Sequence, residues 1–496
     1  MKTELRVADT TMPPPASSLY NKTIMKKHLI IILGCTAMLT SCHLYSNYER
    51  PQGLASDSLY RDTTSTYAVL QGDTTNFGNT PWQEVFTDPH LQSLIEKALQ
   101  NNTDIRTADL TIQQAEAGLM TSRLAYLPSL ALSPQGTISS FDGSKATKTY
   151  SIPVQASWQI DAFGTLRNAK RQAEVSLLQS KAYKQVARTS IIASVANMYY
   201  TLQMLDEQLK ITRETSKIWE KNVAAMEAMQ QAGGGTTSAA VAQSKANYYQ
   251  ILTTIPTLEQ NIKETENALC SILHEAPHPI ERSQFNADGF PSSFSAGVPM
   301  QLLSNRPDVR AAEMQLAYAF YGVNKARGNF YPQITLSGSA GWTNSAGSMI
   351  INPAKFVASA VGSLVQPLFQ KGQLRANLKI AKAQQESAQL SFEQTLLDAG
   401  REVSNALSLY QTSVLEEQSR KKQVEQLEKA VEATDYLFTH GNSTTYLEKL
   451  TAQQSLLQGQ LSLISDKFDK VQAAISLYQA LGGGRDLNED SNSQAK

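Results

Sequence analysis

The sequence predicts a mainly helical chain with a smaller β component. It reads as two copies of one unit, each a β-hairpin joined to two long coiled helices. Three observations predict this. Short strings recur about two hundred positions apart, paired stretches alternate apolar and polar residues, and two much longer stretches keep a helical apolar period without a proline.

The repeat decides the architecture and is taken first. Ala125-Tyr126-Leu127-Pro128 corresponds to Asn329-Phe330-Tyr331-Pro332. Phe163-Gly164-Thr165-Leu166-Arg167 corresponds to Phe369-Gln370-Lys371-Gly372-Gln373-Leu374-Arg375. Asn267-Ala268-Leu269 with Leu273 corresponds to Ile475-Ser476-Leu477 with Leu481. The offsets are 204, 208 and 208 residues. A unit of that size is far larger than a solenoid repeat. Residues 81–284 form the first copy and 285–484 the second, with 485–496 left as a disordered tail.

The N-terminal elements concern destination rather than fold. Met25-Lys26-Lys27-His28, the apolar run Leu29–Leu33, and Leu39-Thr40-Ser41-Cys42 read as a signal peptide over 25–41, too short to span a bilayer as a mature helix. Its ending resembles a bacterial lipobox, which implies that Cys42 is acylated and becomes the first mature residue. Two or three acyl chains anchor stably where one does not. Residues 1–24 carry Pro13-Pro14-Pro15, Glu4 and Asp9 and fit no targeting segment, so Met25 is read as the true start. Residues 42–80 read as an extended, lipid-anchored tether. Cys35 falls in the signal and Cys42 takes lipid, so Cys270 remains with no partner for a disulfide.

Within each copy the order of elements is the same. A helix is expected over 103–127 and again over 307–329, ending near Pro128 and Pro332 because proline penalises helical geometry in the residue before it. Strands are expected over 129–141, 150–161, 333–344 and 355–369. Ile152, Val154, Ala156 and Trp158 alternate with Pro153, Gln155 and Ser157, the pattern of a half-exposed strand. Residues 142–149 and 344–354 read as loops. Very long helices follow over 166–231 and 373–440, each about 100 Å at 1.5 Å per residue. Helices return over 238–273 and 445–481. Their other faces are Gln, Lys, Ser, Ala and Thr, which suggests water along one side.

Four strands cannot close a barrel alone, and open edges cannot sit in lipid. The physical solution is a homo-oligomer in which each chain lends four strands to one barrel and the long helices continue it as a tube. Composition excludes other classes. Lys plus Arg and Asp plus Glu are each 44, so the net charge is zero and no global field favours nucleic acid.

The chain resembles the TolC-like outer-membrane factors, in the OprM/NodT-type lipoprotein branch. Asn305-Arg306-Pro307-Asp308-Val309-Arg310-Ala311-Ala312-Glu313 carries the resemblance, with Asp161-Ala162-Phe163-Gly164, Gln366-Pro367-Leu368-Phe369 and Tyr446-Leu447-Glu448-Lys449-Leu450-Thr451-Ala452-Gln453. It covers about residues 81–484. It implies a homotrimer with a twelve-stranded barrel in the Gram-negative outer membrane, continued by a twelve-helix α-barrel in the periplasm. It also implies a periplasmic adaptor protein and an inner-membrane RND-type pump as partners, and no enzymatic activity or cofactor. The exported small molecules are left open. A type I protein-secretion channel is the alternative within the class; a non-pore periplasmic coiled-coil scaffold is the alternative outside it.

Several strings have a plainer structural reading. In the Arg306–Glu313 motif, Pro307 suits a first helical turn, Asp308 and Glu313 suit its N-terminal part, and Arg310 is spaced to pair with Glu313. His274-Glu275-Ala276-Pro277-His278 matches the zinc-protease pattern, but Pro277 breaks the helix that pattern needs. Gly233-Gly234-Gly235 and Gly441 read as helix caps at two turns. Those turns form the tip of the tube, where the resemblance places a gate. Thr451, Gln454, Leu437 and Phe438 stand where charged or Arg-Tyr residues are expected, so an ionic lock is not evident. Leu447 is the apolar constriction candidate and Glu448 the nearest charge.

Overall fold

The structure is a computed structural model and describes residues 45–51, 76–233, 236–290, 305–343, 356–441 and 446–486. The chain divides into two units, Met1–Glu49 and Arg50–Lys496. Of the first, only residues 45–49 are described, in irregular backbone. The expected acylation site Cys42 and the loop 344–354 lie outside the described residues. Everything below concerns the second unit.

After a 3-10 turn at Phe77–Asn79 and a one-turn helix at Trp82–Val85 come α1 (Pro89–Asn101) and α2 (Thr103–Leu124). Three strands follow, β1 (Ser129–Leu132), β2 (Gln135–Ser139) and β3 (Thr147–Ile160). The first long helix, α3, runs Thr165–Gln231, and α4 returns over Ser238–Leu273. The second half repeats the plan with α5 (Pro307–Gly328), β4 (Gln333–Thr343), β5 (Phe356–Val365), α6 (Gln373–Thr439) and α7 (Tyr446–Ala480).

Each long helix starts where a glycine reverses the chain out of the sheet. Gly164 (φ 71°) and Gly372 (φ 82°) both adopt the left-handed conformation just before the first helical residue. That shared need explains why the repeat is visible at those positions. Asp161 adds side-chain caps, accepting from the backbone N–H of Leu166 (2.9 Å) and Arg167 (2.7 Å).

The strands form one antiparallel sheet in the order β1-β3-β4-β5, with β2 also on β3. Here one expectation is corrected: the strand expected over 129–141 is broken into β1 and β2, which keep one register on β3. The cause is Pro153. Its carbonyl accepts from the Ser133 N–H (3.0 Å), but proline has no N–H to return the bond, so the ladder fails at Ser133-Pro134. The strand expected over 355–369 ends at Val365. Helix α2 ends at Leu124, with Tyr126 and Leu127 in tightened turns after it.

Helix packing follows sequence order. α6 lies against α7, α3 against α4 and α5, and α7 touches α3. Pro256 sits inside α4 at an exposed position, removing a backbone bond without ending the helix. At the other end of α4, His274 is a left-handed cap (φ 58°), so His274 and His278 do not share a helical turn and the zinc-protease pattern has no helix to stand on. Cys270 is buried and free.

Candidate channel wall and tip

The register of the sheet sorts its side chains into two faces of opposite character. On one face Ile152 pairs with Trp342, Trp158 with Leu336, and Ile160 with Ile334. The same face continues through Leu130 and Leu132 on β1 and through Phe356 and Leu364 on β5. Most of these large apolar side chains are exposed, Leu130 by 72% and Leu364 by 65%, while Ile160 and Ile334 are half-buried. On the other face Ser157 pairs with Ser337 and Gln155 with Ser339, while Ser339 and Ser359 share a hydroxyl–hydroxyl bond of 2.8 Å.

Aromatic rings gather at both ends of the apolar face. Trp158 donates its indole N–H to the Tyr126 carbonyl (2.8 Å), and Phe163 stacks on Tyr331 with centroids 5.1 Å apart. At the far end Trp342 and Phe356 meet edge-on at 5.8 Å. From Tyr150 to Ile160 is about 33 Å along β3 at 3.3 Å per residue. Tilted by about 40°, that gives a band about 25 Å tall, the height of the apolar belt of an outer-membrane barrel.

The Arg306–Glu313 motif sits far from this wall and works as a clamp. Arg306 is buried at the cap of α5. Its guanidinium donates to both Asp308 oxygens (3.0 and 2.6 Å), to Glu402 on α6 (2.7 Å) and to the Ala480 carbonyl at the end of α7 (3.0 Å). Pro307 takes the first helical position, where its missing N–H has no intrahelical partner to lose. Glu313 departs from expectation. Both its oxygens accept from Arg50 (2.8 and 2.7 Å), so its partner comes from the N-terminal segment rather than from Arg310 one turn back. Gly482 lies against this junction, where a Cβ would meet the Asn305 carbonyl at 2.5 Å.

Asn102 does for the first half what Arg306 does for the second, and sequence reasoning missed it. Its Oδ1 accepts from the Asp104 N–H (2.8 Å) and its Nδ2 donates to the Ile272 carbonyl at the end of α4 (2.9 Å). The repeat offset of 204 carries Asn102 onto Arg306 and Asp104 onto Asp308, which was the available signal.

At the tip, Trp219 (α3), Ile251 (α4) and Leu450 (α7) form a buried cluster with Tyr248, Tyr446 and Leu457 against it. Asn222 donates to Gln453 (2.7 Å), and the Ser244 and Tyr446 hydroxyls lie 3.2 Å apart. Lys449 turns inward, pairs with Asp435 on α6 and lies 5.3 Å over the Phe438 ring. Phe438 in turn meets Tyr446 at 5.5 Å. The remaining candidates share one exposed stripe of α7: Leu447, Glu448, Thr451 and Gln454. Leu447 is 64% exposed and Leu437 is 37% exposed. The Thr451 hydroxyl is occupied by the Leu447 carbonyl (2.8 Å), a back-bond within the helix.

Further up the tube, charged side chains brace α6 on α7. Lys470 pairs with Glu417 and Asp288, both at 2.9 Å, and Arg420 pairs with Asp466 at 2.9 Å. Burial alone would raise the Glu417 carboxyl; hydrogen bonds from Lys421 and Lys470 outweigh it and hold it below the usual range. The hydrogen bond from Lys470 lowers Asp288 as well. Among the described residues no group of three or more metal-ligating side chains converges.

An apolar sheet face with aromatic rims, joined to helices that leave it through paired glycine turns, is the plan of a known family. The profile of the outer membrane efflux protein family matches residues 94–274 and 298–483. The chain belongs to that family. Its two matched segments follow the two halves of the repeat. The cation efflux system protein CusC of Escherichia coli K12 is 28% identical over 454 residues, covering 91% of this chain and 98% of CusC. Crystal structures of CusC superpose with a TM-score of 0.78 over 89% of this chain and 99% of that one, at 26% identity. The pyoverdine export outer membrane protein OpmQ of Pseudomonas putida is 30% identical over 81% of this chain and 88% of OpmQ. The probable outer membrane lipoprotein SilC of Salmonella typhimurium is 26% identical over 92% of this chain and 97% of SilC. The chain is an outer-membrane efflux channel protein.

Proposed function

We propose that three copies of this chain close one twelve-stranded barrel in the outer membrane, with their long helices forming a twelve-helix tube below it. One observation carries the reading: a sheet four strands wide, with a continuous exposed apolar face, ends in unpaired edges at β1/β2 and at β5. Lipid tolerates neither edge, and a neighbour's opposite edge satisfies both. Three copies give twelve strands and the roughly 25 Å belt already described.

The assembled channel performs no chemistry. It receives small molecules at the tip from a periplasmic adaptor and an inner-membrane pump, RND-type by family resemblance, and releases them outside. The acyl chains on Cys42 anchor each protomer in outer-membrane lipid. The test is native mass spectrometry of the detergent-solubilised protein: three chains, each beginning at a lipidated Cys42. A stable, inserted monomer, or peptides from residues 1–24 in the mature protein, would overturn it.

A further inference from the structure

The water-facing side of the sheet carries no charge at any described position, and this decides what the membrane-spanning wall can read. On β3 the inner positions are the odd-numbered residues from Thr149 to Gln159, all Thr, Ser, Pro or Gln. On β4 they run from Gln333 to Thr343 through Thr335, Ser337, Ser339 and Gly341. Ser129 and Ala131 continue the face on β1, and Gln135, Thr137 and Ser139 on β2. On β5 the inner face alternates Ser359 and Ser363 with Val357, Val361 and Val365.

The nearest charges along β3 stand beyond the mid-wall row. Lys148 lies on the other face near the outer end, and Asp161 lies past the last strand residue. Each is at least six residues from Gln155, about 20 Å at 3.3 Å per residue, against a screening length of about 8 Å at physiological salt. The field of either end group therefore does not reach the middle of the wall. The chemistry left there is hydroxyl, carboxamide and the valine stripe of β5.

We propose that the outer-membrane passage of this channel is charge-blind along its described mid-wall, the rows from Ser151 to Ser157 on β3 and their strand partners. Its wall repels and concentrates neither sign. It touches cargo only through neutral hydrogen-bonding groups and Val357, Val361 and Val365. That surface suits neutral and amphipathic organic solutes, which need hydrogen-bond exchange and a little apolar contact. It offers no carboxylate, imidazole or sulfur ligand at the described positions, so a hydrated metal cation would pass it unbound. Selection by charge, where the channel makes any, belongs to the helical tube and its tip. The inference rests on the barrel reading above, which it deepens.

The test measures the local potential at the wall. In full-length protein with Cys270→Ala, Ser339→Cys is treated from outside intact cells with a cationic and an anionic methanethiosulfonate reagent of similar size. Each kT of local potential multiplies the ratio of the two rates by about sevenfold, because the reagents carry opposite charge. For a charge-blind wall the ratio lies within about threefold of its value for a small free thiol in solution. Ser359→Glu, placed beside the reporter, should raise the ratio at least tenfold and shows that the site reads charge. A wild-type ratio shifted tenfold or more in either direction overturns the proposal. Ala340→Cys, on the lipid face, tests the barrel itself. If Ala340→Cys reacts with both reagents while Ser339→Cys reacts with neither, the faces are reversed and the barrel reading fails instead. In cells, deletion of the chain should raise retention of the neutral dye Nile red. Unchanged Nile red retention would refute the assignment of cargo class.

Discussion

At the scale of single residues, the two halves solve one problem with different chemistry. Each copy must tie the start of its short helix to the end of its returning helix. Asn102 does so with two neutral hydrogen bonds, Arg306 with a buried guanidinium shared among Asp308, Glu402 and the Ala480 carbonyl. Asp308 and Glu402 are each more than a third exposed and rehydrate when Arg306 is removed, so the loss is set by its charged hydrogen bonds, about 1.5–3 kcal/mol. Losing a neutral cap costs about 0.5–2 kcal/mol. Arg306→Ala should therefore lower the thermal midpoint of the solubilised protein more than Asn102→Ala, as measured by circular dichroism. Equal shifts would mean that the acidic partners of Arg306 are solvated rather than held.

The Lys470 brace gives a pH dependence with a definite sign. Glu417 and Asp288 are lowered in the folded chain, so their contribution is complete above their ordinary range near pH 4 and is lost as pH falls through the depressed values. For Lys470, burial lowers the amine but the bonds to Glu417 and Asp288 raise it further. Its contribution is complete below about pH 10 and is lost only as pH rises through the raised value. Asp469, raised by burial and by its neighbours Asp466 and Glu416, works the other way on the acid side. Lys470→Met should destabilise by about 1.5–3 kcal/mol at pH 7, since Glu417 keeps its pair with Lys421 and Asp288 is exposed. The variant should also lose less further stability than wild type between pH 5 and pH 3. A parallel acid limb in denaturant titrations would rule the brace out as its source.

At the scale of elements, the sheet makes the sharpest claim. In the proposed barrel, register assigns every strand residue to lipid or to water, so neighbours should respond oppositely. Val154→Arg, on the apolar face near the middle of the belt, should cost about 2–4 kcal/mol, and Ile334→Arg, level with Ile160 at its rim, about 0–1 kcal/mol. Thr335→Arg, one position along, should insert normally. The readout is the fraction of chains recovered as heat-resistant oligomer in outer-membrane preparations, and a strong defect in Thr335→Arg would reverse the faces. Much of this was legible in the sequence. Period-two alternation placed Trp158 and Trp342 on one face, and the repeat placed both long helices within a residue or two. What was not legible depended on partners distant in sequence. The break at Ser133-Pro134 arises from Pro153 on the facing strand. The Arg50–Glu313 bond joins positions 263 residues apart, and no local spacing announces it. The tip was half legible: the family resemblance singled out Leu447, Glu448, Thr451 and Gln454, which share an exposed stripe, while the inward turn of Lys449 needed Asp435 from another helix.

At the scale of the whole molecule the open question is what keeps the resting channel shut. The lysine beside the stripe is already committed within its own chain, since Lys449 pairs with Asp435 under the Phe438 ring. The exposed stripe it leaves behind presents Leu447, Glu448, Thr451 and Gln454, with the Thr451 hydroxyl bonded to its own helix. In a trimer each of these side chains becomes a ring of three. An apolar ring excludes water and ions by dewetting, whereas ion pairs at a wet tip contribute only about 0–1 kcal/mol each. We therefore propose a Leu447 ring as the stronger closure. Leu447→Ser should raise single-channel conductance in planar bilayers and sensitise cells to compounds the size of vancomycin. Glu448→Gln should shift ion selectivity and leave resting conductance near the wild-type value. If Glu448→Gln opens the channel while Leu447→Ser does not, charge holds the tip and the apolar ring does not.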